Sequence, residues 1–251
     1  MTTRPATTSP APDPSAEPFG SITDVDGVGV GHHQRLGRGW QTGTTVVACG
    51  GGATPGCDVR GGGPGTRETD ALRPENLVDR IHAVCLTGGS AFGLAAADGV
   101  MDELEGRGLG VPVGGDVVVP VVPTAVVFDL GRGGDHRNRP DATFGRRAAA
   151  AALGGRATMR WGAVGAGAGA RSGAVQGGVG TASTTVRVEI PAGAAPVAGV
   201  ESDSAPEHLA DGVTFTVGAL AVVNSHGSVI DPATVLPWER GPLRWPRPGA
   251  A

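Results

Sequence analysis

The chain has 251 residues, of which 39% are apolar and 4% aromatic, and its formal net charge is −4. This length and apolar content suffice for one globular domain with a sizeable core. The basic residues are all arginine and are scattered, so no basic stripe predicts binding to nucleic acid. The absence of lysine excludes a P-loop lysine and a Schiff-base cofactor lysine. We expect no cofactor.

The sequence contains no apolar run long enough to cross a bilayer and no charged-then-apolar signal pattern at its N-terminus. It therefore predicts a cytoplasmic protein without a membrane partner. The three cysteines, Cys49, Cys57 and Cys85, lack Cys-x-x-Cys spacing, which argues against a disulfide framework or a zinc site. We expect buried free thiols and no metal.

Composition divides the chain into three parts. Residues 1–18 are rich in Pro, Thr, Ser and Ala and predict a disordered leader. Residues 19–236 are expected to form a single domain, and residues 237–251 an irregular tail.

The first half of the domain mixes strand and helix patterns. In chain order it predicts a strand over 22–30 that a turn at Asp26-Gly27 interrupts, a strand over 44–49, a glycine-rich loop over 50–66, a short helix over 74–80, a strand over 82–87, and a helix from Ser90 to about residue 107. Valine-rich residues 117–130 contain Pro120 and Pro123, which predicts two short extended pieces.

The second half begins with an alanine-rich helix capped by Asp141 and ending at residues 154–155. Three further strands are predicted over 162–170, 178–190 and 213–230. Because a strict alternation of strand and helix is missing, the pattern favours a layered α/β sandwich with antiparallel or mixed sheets over a Rossmann fold.

The most informative segment runs from Cys85 to Leu94, where an apolar strand passes through Gly88 and Gly89 into a helix start at Ser90. Unpaired N–H groups at such a junction bind anions, so the N–H groups of Gly89 and Ser90 are candidate oxyanion donors. Ser90 itself is either an N-cap or a catalytic serine. The nucleophile motif Gly-x-Ser-x-Gly is not met, because Phe92 occupies its last position.

Asn224 follows the apolar residues 219–223 and is expected at the end of a buried strand. An amide there must be hydrogen-bonded, and its NH₂ can donate to an oxyanion. An Asx-turn is the alternative role. None of the six histidines has a clear claim as a catalytic base, and the adjacent His32 and His33 should point to opposite faces of a strand.

A mixed-charge cluster between residues 58 and 70 contains Arg67 and Glu68. It is either a surface salt-bridge loop or a site for a substrate terminus. Asp129 is interpreted as a turn or cap residue.

Six ordered segments resemble the P1 family peptidases, also called peptidase family S58, over residues 21–236. They are Ser21-Ile-Thr-Asp-Val-Asp-Gly-Val-Gly-Val-Gly-His, Asp58-Val-Arg-Gly-Gly with Pro64-Gly-Thr-Arg-Glu-Thr-Asp, Leu86-Thr-Gly-Gly-Ser-Ala-Phe-Gly-Leu, Val126-Val-Phe-Asp-Leu, Gly178-Val-Gly-Thr-Ala-Ser, and Gly218-Ala-Leu-Ala-Val-Val-Asn.

The resemblance implies a four-layer αββα sandwich similar to N-terminal-nucleophile hydrolases. It also implies a precursor that cleaves itself into an α and a β chain, with the nucleophilic Ser or Thr as the first residue of the β chain. Asn224 matches the family's oxyanion-stabilising asparagine, while Gly88, Gly89 and Ser90 would form the site wall. Arg67, Glu68 and Phe128 are the expected substrate-binding residues.

The sequence departs from the family at two positions that assist catalysis in its members. Phe128 stands where several members carry a catalytic tyrosine, and Ala174 stands where some carry a functional lysine. No segment bearing the nucleophile is found, and Gly227-Ser228 is rejected as a processing site because it follows Asn224 too closely. The chain is then either the α portion of a processed enzyme or a truncated reading frame without the β part.

The resemblance therefore predicts a self-processing aminopeptidase or amidohydrolase for N-terminal residues or small amides, inactive without its β segment. The expected partners are a small peptide or amide substrate, the β segment of the same precursor, and further copies in a homo-oligomer. Two alternatives remain open. One is a catalytically inactive homologue or structural subunit, and the other is an acyltransferase related to ornithine acetyltransferase.

Overall fold

The computed structural model describes residues 20–155, 159–188 and 213–238. These residues form a mixed α/β fold, which confirms the predicted class. The predicted leader and most of the predicted tail lie outside the described residues.

Strands and helices are numbered here in chain order. The strands are β1 (Val28–Gly37), β2 (Trp40–Ala53), β3 (Thr66–Arg67), β4 (Ile81–Thr87), β5 (Val111–Gly114), β6 (Val117–Val119), β7 (Thr124–Val126), β8 (Arg171–Ser172), β9 (Val175–Gln176), β10 (Gly178–Val188), β11 (Val213–Val223), β12 (Ile230–Asp231) and β13 (Leu236–Pro237). The α-helices are α1 (Ala96–Glu105) and α2 (Ala142–Leu153), and short 3₁₀ helices cover Ile22–Asp24, Asp70–Leu72, Ser90–Ala95 and Gly165–Gly167.

The described residues divide into two compact units, one of residues 20–25, 181–188 and 213–219 and one of residues 26–155, 159–180 and 220–238. In the first unit, Ser21 caps the 3₁₀ helix Ile22–Asp24 and Asp24 closes the capping box. The predicted strand over 22–30 is therefore wrong in its first half, because the reciprocal Ser21–Asp24 contacts stabilise a helical turn there.

The second unit contains a five-stranded sheet in the order β1-β2-β4-β7-β3. Only the β4–β7 pair in this sheet is parallel, which confirms the prediction of mixed sheets. The strands predicted over 44–49 and 82–87 are confirmed as β2 and β4, although β2 extends beyond residues 44–49 at each end.

Both α-helices pack into one core against the sheet. The core is built from small and branched side chains of β2, β4, the two helices and the segment between β6 and β7: Val46, Ala48, Ala83, Cys85, Ala96, Val100, Leu104, Val122, Ala148, Ala149 and Ala152. Neither helix in the described residues has the length and apolar character that a bilayer crossing requires.

Glycine lets the elements of this core approach by their backbones. A Cβ on Gly145 would lie 1.8 Å from the Ala96 carbonyl oxygen, and one on Gly99 would lie 1.7 Å from that of Ala142. The α1–α2 contact is therefore a backbone-to-backbone contact that no side chain at these two positions would permit.

Two prolines and one N-cap residue correctly predicted the separation of β6 from β7 and the start of α2. Residues 117–130 form two short strands, β6 and β7, on either side of Pro120 and Pro123 as predicted. The carboxylate of Asp141 accepts hydrogen bonds from the N–H groups of Thr143 and Phe144, so α2 begins where the cap placed it.

Two predicted elements do not form. Residues 74–80 make no helix, because the Asn76 side-chain amide donates to the Asp70 carbonyl at 2.7 Å and closes a turn instead. Residues 162–170 make no strand. Gly162 and Gly165 adopt left-handed φ values of 87° and 50°, and the 3₁₀ turn Gly165–Gly167 packs against β2.

The cysteines are free thiols. Cys85 is buried, and burial raises its pKa to about 12. Cys49 is half-buried, whereas Cys57 is exposed, so the prediction of buried thiols is wrong for Cys57.

His32 and His33 point to opposite faces of β1, as predicted. His33 contacts the Phe144 ring, whereas Nδ1 of His32 lies 2.9 Å from the Thr45 hydroxyl. That hydroxyl also accepts from the Ala166 N–H at 3.0 Å. Burial lowers the pKa of His32 to about 4.

The free energy of unfolding should therefore decrease as the pH falls from about 6.5 toward 4, because only the unfolded chain binds a proton at His32 in that interval. We expect His32 to contribute about 2 kcal/mol to this loss, after allowance for partial solvent screening. Urea unfolding of the wild type and of His32→Asn at several pH values measures it.

His32→Asn should flatten the pH dependence, while His33 and His82, whose pKa values burial also lowers, retain part of the slope and Asp129, whose pKa burial raises, opposes it. Replacement of the exposed His136 by Asn is the matched control for the substitution itself. A wild-type slope in His32→Asn would contradict the assignment.

Candidate active site

The turn at Gly88–Ser90 connects β4 to the 3₁₀ helix Ser90–Ala95. Its backbone is tied to neighbouring segments: the Gly88 N–H donates to the Gly43 carbonyl at 2.9 Å, and the Ser90 N–H donates to the Val127 carbonyl at 3.0 Å. The turn is thus fixed at the end of the central strand β4, between β2 and the segment that follows β7.

Sterics dictate the two glycines of this turn. A Cβ on Gly88 would lie 2.0 Å from Oδ2 of Asp129 and 2.3 Å from the Thr42 hydroxyl, and Gly89 has a φ of +83°. Ser90 also adopts a left-handed φ, +52°, which is strained for a residue with a side chain.

The N-cap of the 3₁₀ helix is Gly89, without a side-chain cap bond. The capping role considered for Ser90 is therefore wrong, because the serine is already inside the helix.

The two N–H groups expected as oxyanion donors both have acceptors. The Gly89 N–H donates to Oδ1 of Asp129 at 2.7 Å, and the Ser90 N–H is used by Val127. The expected donor role of these groups is not met in this structure, since a donor already paired inside the protein is not available to a ligand.

Asp129 begins a turn, as predicted, and its carboxylate is buried with 4% exposed. Besides the Gly89 N–H it accepts the hydroxyl proton of Thr42 at 2.6 Å. Burial raises its pKa, while these two hydrogen bonds and the nearby Arg132 oppose that shift. A Cβ on Gly169 would lie 2.7 Å from Oδ2, so the carboxylate is enclosed by backbone on two sides.

Asp129 also starts the turn that carries Arg132. The Arg132 N–H donates to the Asp129 carbonyl at 3.2 Å, and its guanidinium lies 5.4 Å from the centre of the exposed Phe128 ring. This cation–π contact places Phe128 beside the guanidinium.

Asn224 follows β11, whose residues are exposed or half-buried and not buried as predicted, and it is held by its side-chain oxygen. Oδ1 accepts from Nη1 of Arg132 at 2.7 Å and from the backbone N–H of Arg171 at 3.0 Å. These partners lie 92 and 53 positions away, so the oxygen serves a tertiary contact rather than an Asx-turn.

The contacts of Asn224 also fix which way its amide faces. Neither a guanidinium nor a backbone N–H can accept a hydrogen bond, so the oxygen must face these two donors. The NH₂ group then faces away from them, and among the described residues it has no hydrogen-bond acceptor. It remains as a fixed donor pair.

A continuous series of hydrogen bonds therefore connects two sites that the sequence singled out separately. It leads from the Gly88–Ser90 turn to Asp129, along the chain to Arg132, and from there to Asn224. Chemically, the arrangement offers oriented amide protons close to a guanidinium, which suits a developing negative charge.

Arg67 and Glu68 serve the fold. Arg67 forms an ion pair with Asp98 of α1, and Oε2 of Glu68 accepts from the Val122 N–H at 2.8 Å. In the described residues neither side chain is hydrogen-bonded to the Gly88–Ser90 turn or to Asn224.

The sequence reasoning missed Asp129 and Arg132. Asp129 follows the apolar residues 125–128, which is the same signal that singled out Asn224. Within the described part of the chain, no group of three or more His, Cys, Asp and Glu side chains is placed to hold a metal.

The sequence profile of peptidase family S58 matches residues 20–239. The chain belongs to peptidase family S58. An uncharacterized aminopeptidase of Mycobacterium leprae is 49% identical over 234 residues, which cover 89% of this chain and 57% of that protein. The S58 chain thus spans little more than half the length of this relative.

Solved structures share the fold. The L-aminopeptidase D-Ala-esterase/amidase of Ochrobactrum anthropi, a serine aminopeptidase with a variant of the Ntn-hydrolase fold, is 21% identical with a TM-score of 0.60, over 83% of this chain and 54% of that one. A β-aminopeptidase of Burkholderia sp. is 24% identical with a TM-score of 0.57, over 86% and 55% of the two chains.

Proposed function

We propose that this S58 chain is the oxyanion-stabilising portion of a self-processing aminopeptidase or amidohydrolase, whose substrates are N-terminal residues of peptides or small amides. The observation that carries the proposal is the amide of Asn224, whose oxygen is held by Arg132 and Arg171 while its NH₂ group has no acceptor among the described residues. Membership of the family and the aminopeptidase name of the M. leprae relative support the reaction class.

The nucleophile in this proposal is an N-terminal Ser or Thr on a segment outside these 251 residues. That segment would complete a four-layer αββα sandwich. An α-amino group titrates near pH 8 and can therefore take the proton of its own hydroxyl without help from a histidine. The lack of a histidine at the Asn224 contacts is compatible with this chemistry.

In the proposed reaction, the hydroxyl oxygen attacks the amide carbonyl while its proton passes to the α-amino group. The tetrahedral oxyanion accepts hydrogen bonds from the Asn224 NH₂ group, and the Arg132 guanidinium lies behind the same amide. Collapse of the intermediate breaks the C–N bond, and the ammonium returns a proton to the leaving amine. Water then hydrolyses the acyl-enzyme.

The test uses a chimera in which this chain replaces the matched part of the M. leprae relative. We expect the chimera to cleave itself, seen as two fragments by mass spectrometry, and to hydrolyse alanine p-nitroanilide. The 251-residue chain alone should show no turnover. Turnover by the chain alone would contradict the proposal that the nucleophile lies on another segment.

The unmodified relative is the positive control. If the relative hydrolyses alanine p-nitroanilide while the chimera neither cleaves itself nor hydrolyses this substrate, the proposed role of this chain is wrong. Acetyl transfer to glutamate by the chimera would instead support the acyltransferase alternative. The cytoplasmic location and the homo-oligomer stay predictions.

A further inference from the structure

A second polar site lies between β1 and α2, apart from the hydrogen bonds around Asn224. It is a cleft of about 420 Å³, lined by His33, Arg35, Asp141, Thr143, Phe144 and Arg147. This volume is within the range of small-molecule sites in proteins.

The sequence of β1 creates the cleft. Residues 29, 31, 33 and 35 share one face of the strand. At Gly29 and Gly31 the helix touches the strand backbone, since a Cβ there would lie 2.2 and 2.1 Å from carbonyl oxygens of α2. His33 and Arg35 lie on the same face but carry side chains. These side chains hold β1 away from α2, which leaves a space between the strand and the helix.

Aromatic rings hold the basic groups of the cleft in place. The Arg35 guanidinium lies 3.8 Å above the Trp40 ring, which stacks on Phe144 at 5.7 Å. The His33 ring meets Phe144 edge-on at 4.8 Å. Arg35 is thereby preorganised, which lowers the entropy cost of binding a ligand.

The positive charge in the cleft is not balanced. Among the described residues, neither Arg35 nor Arg147 forms an ion pair or a side-chain hydrogen bond. The one carboxylate of the cleft, Asp141, accepts the N–H groups of Thr143 and Phe144 with Oδ1. Burial lowers the pKa of His33, and the charges of Arg147 and Arg35 lower it further, against the opposing effect of Asp141.

We propose that this cleft binds a small molecule through a dianionic oxyanion group, a phosphate or a dicarboxylate, held between the guanidinium groups of Arg35 and Arg147. A planar guanidinium donates two parallel hydrogen bonds to such a group, and the Thr143 hydroxyl adds a second kind of donor at the wall. The site is independent of the proposed hydrolase function.

The test titrates the chain with sodium phosphate and, separately, with sodium succinate, at an ionic strength held constant with sodium chloride. Binding is followed by calorimetry and by the NMR resonances of the His33 ring. We expect saturable binding in the millimolar range or tighter by at least one of the two anions. Phosphate alone identifies a phosphate ligand, and succinate alone a dicarboxylate.

Arg147→Gln should weaken this binding about tenfold or more, since it removes a charge-assisted contact while Arg35 stays on Trp40. The matched control is Arg146→Gln, on the next residue of the helix, where the guanidinium pairs with Asp102 instead. The control should bind like the wild type.

Both arginines are exposed, so the variants are expected to fold, and circular dichroism verifies it. The proposal is overturned if neither anion binds saturably, or if Arg147→Gln and Arg146→Gln bind as the wild type does.

Discussion

Replacing Asn224 with Asp in the chimera should lower the turnover of alanine p-nitroanilide by about 10²–10³-fold. The aspartate keeps an oxygen for Nη1 of Arg132 and for the Arg171 N–H, so the contacts that position the side chain survive. What it loses is the NH₂ donor. The effect therefore separates donation to the oxyanion from simple positioning, and steady-state kinetics measure it.

Asn224→Ala, which loses both the donor and the acceptor, should be about as impaired as Asn224→Asp. The neighbouring Ser225→Ala is the matched control, since its hydroxyl contacts Ser172 and not the amide. Full activity in Asn224→Asp with impaired activity in Asn224→Ala would show that the asparagine only supports the fold.

Asp129→Ala should lower the free energy of unfolding by about 3 kcal/mol. The substitution leaves the Gly89 N–H and the Thr42 hydroxyl without their acceptor in a buried site, and it opens a void beside Gly88 and Gly169. Urea denaturation at pH 7 measures the loss.

Asp129→Asn is the informative comparison, because its oxygen still accepts from the Gly89 N–H and its NH₂ can donate to the Thr42 hydroxyl. Burial raises the pKa of Asp129, so the stability that protonation gives is present below pH 3.8 and is lost as the pH rises through the folded-state pKa. The amide of Asp129→Asn does not ionise, so it has no such loss. The free energy of unfolding of Asp129→Asn should therefore stay within about 1 kcal/mol of the wild-type value at pH 7.

Wild-type stability in Asp129→Ala would show that the carboxylate is not what holds the turn. If Asp129→Asn instead loses as much stability as the alanine variant, the negative charge itself is required. Leu104→Ala provides a reference for an ordinary core cavity, since Leu104 is fully buried.

Local signals with a direct physical cause predicted much of the fold. Proline cannot donate to a sheet ladder, so Pro120 and Pro123 correctly split the valine-rich stretch into two strands. The Asp141 carboxylate correctly marked the start of α2. Both depend on residues adjacent in the chain, which a sequence shows directly.

The failures come from contacts that a sequence does not show. The small residues over 162–170 resembled a buried strand, but they allow the chain to turn against β2, where a Cβ on Gly165 would lie 2.2 Å from the Thr45 hydroxyl. In the candidate site, Asn224 was predicted from its place after an apolar run. Asp129 had the same signal, yet its role depends on Thr42 and Gly89, which are distant in sequence.

The close contacts at Gly99 and Gly145 reverse the usual ranking of replaceable positions in a protein interior. Alanine is normally the gentlest substitute, yet here one added methyl group would have to occupy the space of a carbonyl oxygen. Replacing a large buried residue such as Val100 with a smaller one leaves only a void. Replacing either glycine with a larger residue would instead force the two helices apart. Over evolutionary drift, the smallest residues of this interior are thus the most constrained.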